Sequence, residues 1–190
     1  MRRITTTLCA TALVALGGGA ATGCGGGEAQ SAAPSQSATQ AALKGAPPKL
    51  AAVHEQANEL IGGGPEAFEA RLRELRGHPV VVNKWASWCG PCRLEFPIFQ
   101  RLSIKRGKEI AFLGVNSNDS DSPARDLLEE VPVSFPSYKD PDQEIAAVFK
   151  GTAAFPSTAF YDSKGKLAYV RQGPYRDQAD LAADIERYAR

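Results

Sequence analysis

Four cysteines, two histidines, two tryptophans and one methionine are all that this chain of 190 residues holds of those types. No apolar run reaches the roughly 20 residues that a bilayer-spanning helix needs; the longest, residues 4–16, falls short. The net charge is only +1, so the chain lacks the positive field that would hold a nucleic-acid backbone. A metal centre is short of ligands. Zinc takes about four, and neither His54 nor His78 stands at ligand spacing to a cysteine. A copper site of Cys and His meets the same shortage. There is no internal repeat of solenoid type. What is present is a hydrophobic share of 43% and a charged share of 23%, which suits one globular domain plus extras.

The extras lie at the start. Met1-Arg2-Arg3 is a short positive lead, residues 4–16 are apolar, and small residues follow from Gly17 to Gly23. This is the pattern of an export signal. Ala21-Thr22-Gly23-Cys24 resembles the lipobox of bacterial lipoproteins, with Ala21 where a Leu is usual. The resemblance implies cleavage after residue 23 and lipid on Cys24. Cleavage near Ala21, leaving a free Cys24 thiol, is the alternative. Residues 24–46, rich in Gly, Ala, Ser and Gln, read as a flexible tether. Cys9 then leaves with the signal and Cys24 goes to lipid, so Cys89 and Cys92 are the thiols of the mature domain.

Pro47-Pro48 precede a predicted helix whose apolar positions are Leu50, Val53, Ala57, Leu60 and Ile61. Gly62-Gly63-Gly64 stop it, and Pro65 suits the first turn of the next helix. That helix carries Phe68, Leu72 and Leu75. Residues 79–85, with three consecutive valines, predict a central strand. Residues 91–105 predict a helix kinked at Pro97. A second central strand spans 109–116, a helix 122–130, a proline-broken extended stretch 131–138 and a helix 141–150. Residues 158–161 and 166–170 pair as a hairpin about Asp162-Ser163-Lys164-Gly165, and a last helix covers 177–188. Strands alternating with helices, then a hairpin and a helix, predict an α/β fold with a mixed sheet covered by helices.

Cys89-Gly90-Pro91-Cys92 comes directly after the first central strand and opens a helix. Unpaired backbone N–H groups and the helix dipole at such a start favour thiolate over thiol. Cys89, nearer the helix start and the solvent, is placed to attack; Cys92 is placed to resolve the mixed disulfide. A structural bridge there would close only a tiny loop and gain little from chain entropy.

The run Val81-Val82-Asn83-Lys84-Trp85-Ala86-Ser87-Trp88-Cys89-Gly90-Pro91-Cys92-Arg93-Leu94-Glu95-Phe96-Pro97 resembles the thioredoxin superfamily, and within it the membrane-anchored TlpA/ResA-like branch. The likeness returns weakly at 135–140 and more clearly at 155–162 and 164–166, and covers residues 65–190. It implies a thioredoxin-like fold, a central mixed β-sheet flanked by helices, within a domain of residues 47–190. The helical lead-in, residues 47–61, lies outside the match. It implies a cis-proline facing the cysteine pair at Pro156, preferred over Pro136, with Phe155 offering backbone groups to a bound peptide. Trp88, Gly90, Pro91, Glu95, Phe155 and Pro156 become the substrate-binding or modulating set. Where thioredoxin has a buried Asp this chain has Asn83, which exchanges no proton. Glu95 matches the branch's helical Glu, read as a modulator of the cysteines or as a solvated helix charge. Lys84 replaces an apolar residue, either raising local positive potential or reaching solvent. Trp88 shields the disulfide, and Trp85 packs in the core.

The implied function is thiol–disulfide exchange with exported proteins, through a Cys89/Cys92 pair and without cofactor or metal. The chain would act as a monomer on the outer face of the cytoplasmic membrane, held by Cys24 lipid. Gly90-Pro91 matches thioredoxin, a reductant near about −270 mV. That favours a reductase of the cytochrome c maturation type, with apocytochrome c as a partner, a membrane electron donor or acceptor, and no nucleic acid. A disulfide-forming oxidase is the alternative. A thiol peroxidase would want Thr or Ser three residues before its cysteine, where Ala86 stands. A copper-delivery module is the remaining class.

Overall fold

The computed structural model describes residues 36–190. The export signal, Cys9, Cys24 and the tether up to residue 35 lie outside the described residues. Among the described residues no helix is long and apolar enough to cross a membrane.

Among the described residues six strands form one sheet, in the order β1-β4-β3-β2-β5-β6. They are β1 (Leu60–Ile61), β2 (Val80–Trp85), β3 (Ala111–Ser117), β4 (Ser137–Asp140), β5 (Ser157–Tyr161) and β6 (Leu167–Gln172). The first four run parallel; β5 pairs antiparallel with β2, and β6 antiparallel with β5. The valines of β2 are buried along with the rest of that strand, as suits a strand covered on both faces. The helices are α1 (Gln36–Leu43), α2 (Pro48–Glu55), α3 (Gly64–Glu74), α4 (Gly90–Arg106), α5 (Asp121–Glu130), α6 (Glu144–Val148) and α7 (Gln178–Tyr188). This is the expected mixed sheet flanked by helices.

Alternation along β2 assigns the two layers. Trp85 points to α4, edge-on to Phe96 at 5.1 Å between ring centroids. On the other layer Phe68 of α3 meets Tyr138 of β4 at 5.5 Å and Phe149, just after α6, at 6.1 Å. Gly114 of β3 permits one close approach: a Cβ there would lie 2.1 Å from Ser137 Oγ and 3.1 Å from Trp85 Nε1. Those two atoms are themselves hydrogen-bonded at 3.0 Å.

Two expectations are corrected near the start. Residues 36–43, assigned to a flexible tether, form α1. Their Ala-rich composition favours helix, and Leu43 is buried. The helix of the lead-in ends at Glu55, so Leu60 and Ile61 are not helical. Asn58 takes a left-handed φ of 65° and donates to Leu128 O while accepting from Val133 N. The chain then pairs with β4, Leu60 opposite Ser137. His54 is half-buried, with Nε2 2.8 Å from Gly107 O and Nδ1 3.2 Å from Ser134 O. Gly107 lets it in: a Cβ there would stand 2.7 Å from Leu43 Cδ2 and 2.8 Å from His54 Cε1. α4 runs unbroken through Pro97.

Candidate active site

The carboxyl end of β2 feeds directly into the cysteine pair. Cys89 is the N-cap of α4, and its Sγ accepts from the backbone N–H of Cys92 at 3.2 Å. A capping side chain meets the third N–H of its helix in this way. Gly90 and Pro91 fill the two positions between; Pro there lacks only an N–H that has no intrahelical partner anyway. The two sulfurs are bonded at 2.01 Å, with Cα atoms 5.3 Å apart. Cys89 keeps 4% exposure and Cys92 none, so Cys89 is the sulfur a partner can reach. When the bond is open, the same N–H and the helix terminus favour negative charge on Cys89.

The loop before the pair is held by Asp119. Its Oδ2 accepts from Ser87 N at 2.5 Å and Asn116 Nδ2 at 2.8 Å. Its Oδ1 accepts from Ser87 Oγ and from Ser120 N, both at 2.8 Å. Trp88 donates from Nε1 to Asn118 O at 2.8 Å while staying 57% exposed. Its ring lies 4.8 Å from that of Phe155. The Phe155–Pro156 peptide is cis, whereas the bond before Pro136 is not among the cis bonds. Lys84 stands opposite Ser157 in the β2–β5 ladder, which puts Pro156 level with the end of β2. The structure thus gathers Trp88, Cys89, Phe155 and Pro156 at one end of the sheet, with Gly90 and Pro91 exposed beside them.

Beneath the pair, Glu95 is fully buried. Its Oε1 accepts from Asn83 Nδ2 at 2.6 Å and its Oε2 from Tyr175 N at 3.1 Å. Burial raises its pKa to about 7, against the opposing pull of those two hydrogen bonds and of Arg171. A solvated helix charge is therefore excluded. Tyr175 is anchored in turn, its hydroxyl donating to Asp184 Oδ2 at 2.7 Å and its ring under the Arg171 guanidinium at 4.3 Å.

Lys84 does not reach solvent. It is fully buried, and burial lowers its pKa to about 8, with Asp140 pulling the other way. Its Nζ donates to Gly151 O at 2.7 Å and Gln143 Oε1 at 3.1 Å and lies 3.7 Å from the Phe155 ring centre. Trp85 is core, as expected. Among the described residues no group of three or more His, Cys, Asp or Glu is placed to hold a metal ion.

Sequence reasoning missed Tyr175, Asp119, Gln143 and Gly151. Each acts through a contact between residues distant in the chain, and none belongs to a motif. Only Asp119, between Asn118 and Ser120 after a predicted strand, carried a turn signal.

The family model described as Redoxin matches residues 32–185. Thiol-disulfide oxidoreductase ResA of Oceanobacillus iheyensis is 28% identical over 104 residues, covering 54% of each chain. ResA of Geobacillus thermodenitrificans is 28% identical over 123 residues, covering 64% of this chain and 70% of that one. The first of these matches spans about half the length of its curated relative. Among solved structures, a Chlorobium tepidum protein assigned as thiol:disulfide interchange protein DsbE aligns with a TM-score of 0.56 and 29% identity. It covers 61% of this chain and 83% of that one.

Proposed function

This chain belongs to the redoxin family, and from that premise we propose that it exchanges thiols and disulfides with protein partners through Cys89 and Cys92. The observation that carries the reading is Cys89 capping α4, with its sulfur bonded to Cys92 and the Trp88–Phe155 ring pair beginning at the next residue back in the chain. In the reducing direction the Cys89 thiolate attacks one sulfur of a partner disulfide. A mixed disulfide forms and the other partner sulfur leaves as thiolate, taking up a proton. The Cys92 thiol, losing its proton, then attacks Cys89 Sγ. The Cys89–Cys92 bond closes and the partner departs with two thiols. Glu95, one helical turn beyond Cys92 and with its pKa raised by burial to about 7, is the group suited to accept that proton.

The reductive direction is supported by the Gly90-Pro91 dipeptide. An extracytoplasmic setting, with anchorage through Cys24 lipid and partners such as apocytochrome c, is supported by the export pattern of residues 1–24 and by the likeness to ResA. Cys89→Ser should lower insulin disulfide reduction by roughly a thousandfold or more. Cys92→Ser should accumulate mixed disulfides through Cys89, read by non-reducing mass spectrometry of trapped partners. Full activity in Cys89→Ser would overturn the reading.

A further inference from the structure

The exchange reading uses Cys89, Cys92 and Glu95 but leaves the buried Lys84 without a role. An ammonium carries three N–H donors, and here each has a partner. Gly151 O lies at 2.7 Å, Gln143 Oε1 at 3.1 Å and the Phe155 ring centre at 3.7 Å. Two of these partners, Gly151 and Phe155, bracket the loop that leads to Pro156. The third, Gln143, sits at a left-handed φ of 60° just before α6. The Phe155 ring in turn meets Trp88, beside Cys89, at 4.8 Å.

Resting on the exchange reading above, we infer that Lys84 is a positioning residue: its ammonium holds Phe155 against Trp88 and so sets the apolar wall past which a partner polypeptide reaches Cys89. A neutral side chain of the same length fills the space without holding the ring. The attraction between a desolvated ammonium and an aromatic face is enough to bias the loop without being needed for the fold. Gly151 O also accepts from Ser157 Oγ at 3.0 Å, so removing the ammonium leaves it partnered. Asp140 keeps its hydrogen bonds from Ser117 Oγ and from the N–H groups of Ile145 and Ala146 when the ammonium is removed, so Lys84→Met leaves that carboxylate partnered.

The device has a pH window. The groups facing Lys84 from α6, the 149–156 loop and β5 are neutral Gln143, Gly151, Phe155 and Ser157. The charge acting on it is the Asp140 carboxylate at the end of β4. That carboxylate is held by Ser117 Oγ and the backbone N–H groups of Ile145 and Ala146. Lys84 is therefore an ammonium below a pH of about 8 and an amine above it.

The test uses the full chain and insulin as the protein disulfide. At pH 7, Lys84→Met should raise KM about tenfold, matching the lost cation–ring attraction, with kcat changed less than about twofold. The KM ratio of variant to wild type should fall toward one as pH passes about 8, because the wild type then loses its charge as well. Phe155→Leu should raise KM similarly, and the double variant should be no worse than Phe155→Leu alone. Acrylamide quenching of tryptophan emission should increase in Lys84→Met, since Trp88 is exposed and Trp85 is buried. An unchanged KM, a ratio flat with pH, or fully multiplicative effects in the double variant would overturn the inference. If the wild type reduced no insulin, the exchange reading would fail. The quenching comparison, which needs no turnover, would still decide whether Lys84 holds the wall.

Discussion

Asn83 and Lys84 are neighbours on β2, and they serve opposite layers of the molecule. On the α4 side Asn83 meets a buried acid, Glu95, whose pKa rises to about 7. On the α6 side Lys84 is itself a buried base, whose pKa falls to about 8. Burial causes both shifts, because a low-dielectric surround disfavours whichever form is charged. The partners differ. Glu95 accepts two hydrogen bonds and has the Arg171 guanidinium acting on it, while Lys84 donates to neutral groups and has the Asp140 carboxylate acting on it. The acid thus lies close to the cysteines, poised between its two protonation states at neutral pH. The base stays largely charged there and grips the loop bearing Pro156. One strand carries the partner of a buried acid on one face and a buried base on the other.

Stability as a function of pH separates the two faces. The largest effect is expected from Glu95→Gln. The folded protein binds the Glu95 proton more tightly than the unfolded chain, so wild-type stability falls as pH rises from 4.5 to about 7. Relative to the variant, the loss should be about 3 kcal/mol, read by urea unfolding at stepped pH. A flat difference would mean that Glu95 is not buried as a titrating acid. Lys84→Met should show a slope of the opposite sign and no greater size. The unfolded chain holds the lysine proton more tightly, so the wild type gains on the variant as pH rises from about 8 to 10.5. Equal slopes of one sign would erase the contrast between the faces. The smallest effect belongs to a pair outside both. Arg93 and Glu130 meet at 2.6 Å, but their side chains are 39% and 62% exposed. Arg93→Ala should change stability by under about 0.5 kcal/mol.

Much of the frame was legible in the chain. The valine run of β2, the hairpin about Asp162–Gly165 and the long helix after Cys89 declare themselves by period and punctuation. Pro65 and Gly90-Pro91 mark helix starts for the same local reason. Leu60 and Ile61 went the other way: their spacing suited a helix, yet pairing with β4 made them a strand. Residues 36–43 looked like tether because composition alone does not reveal that Leu43 has a burial site near Gly107. Glu95 was legible as a residue to watch but not as a buried one, since a helix position says nothing about what packs over it.

The sequence by itself determined the cysteine pair and its place at a strand-to-helix junction, because two cysteines at a helix start obey local geometry. Tertiary structure alone decided what surrounds that pair. Tyr175 reaches Glu95 from 80 residues away in the chain, and Lys84 reaches Gly151 from 67. Burial, which sets the protonation of both groups, is a property of the packed layers and of no single segment.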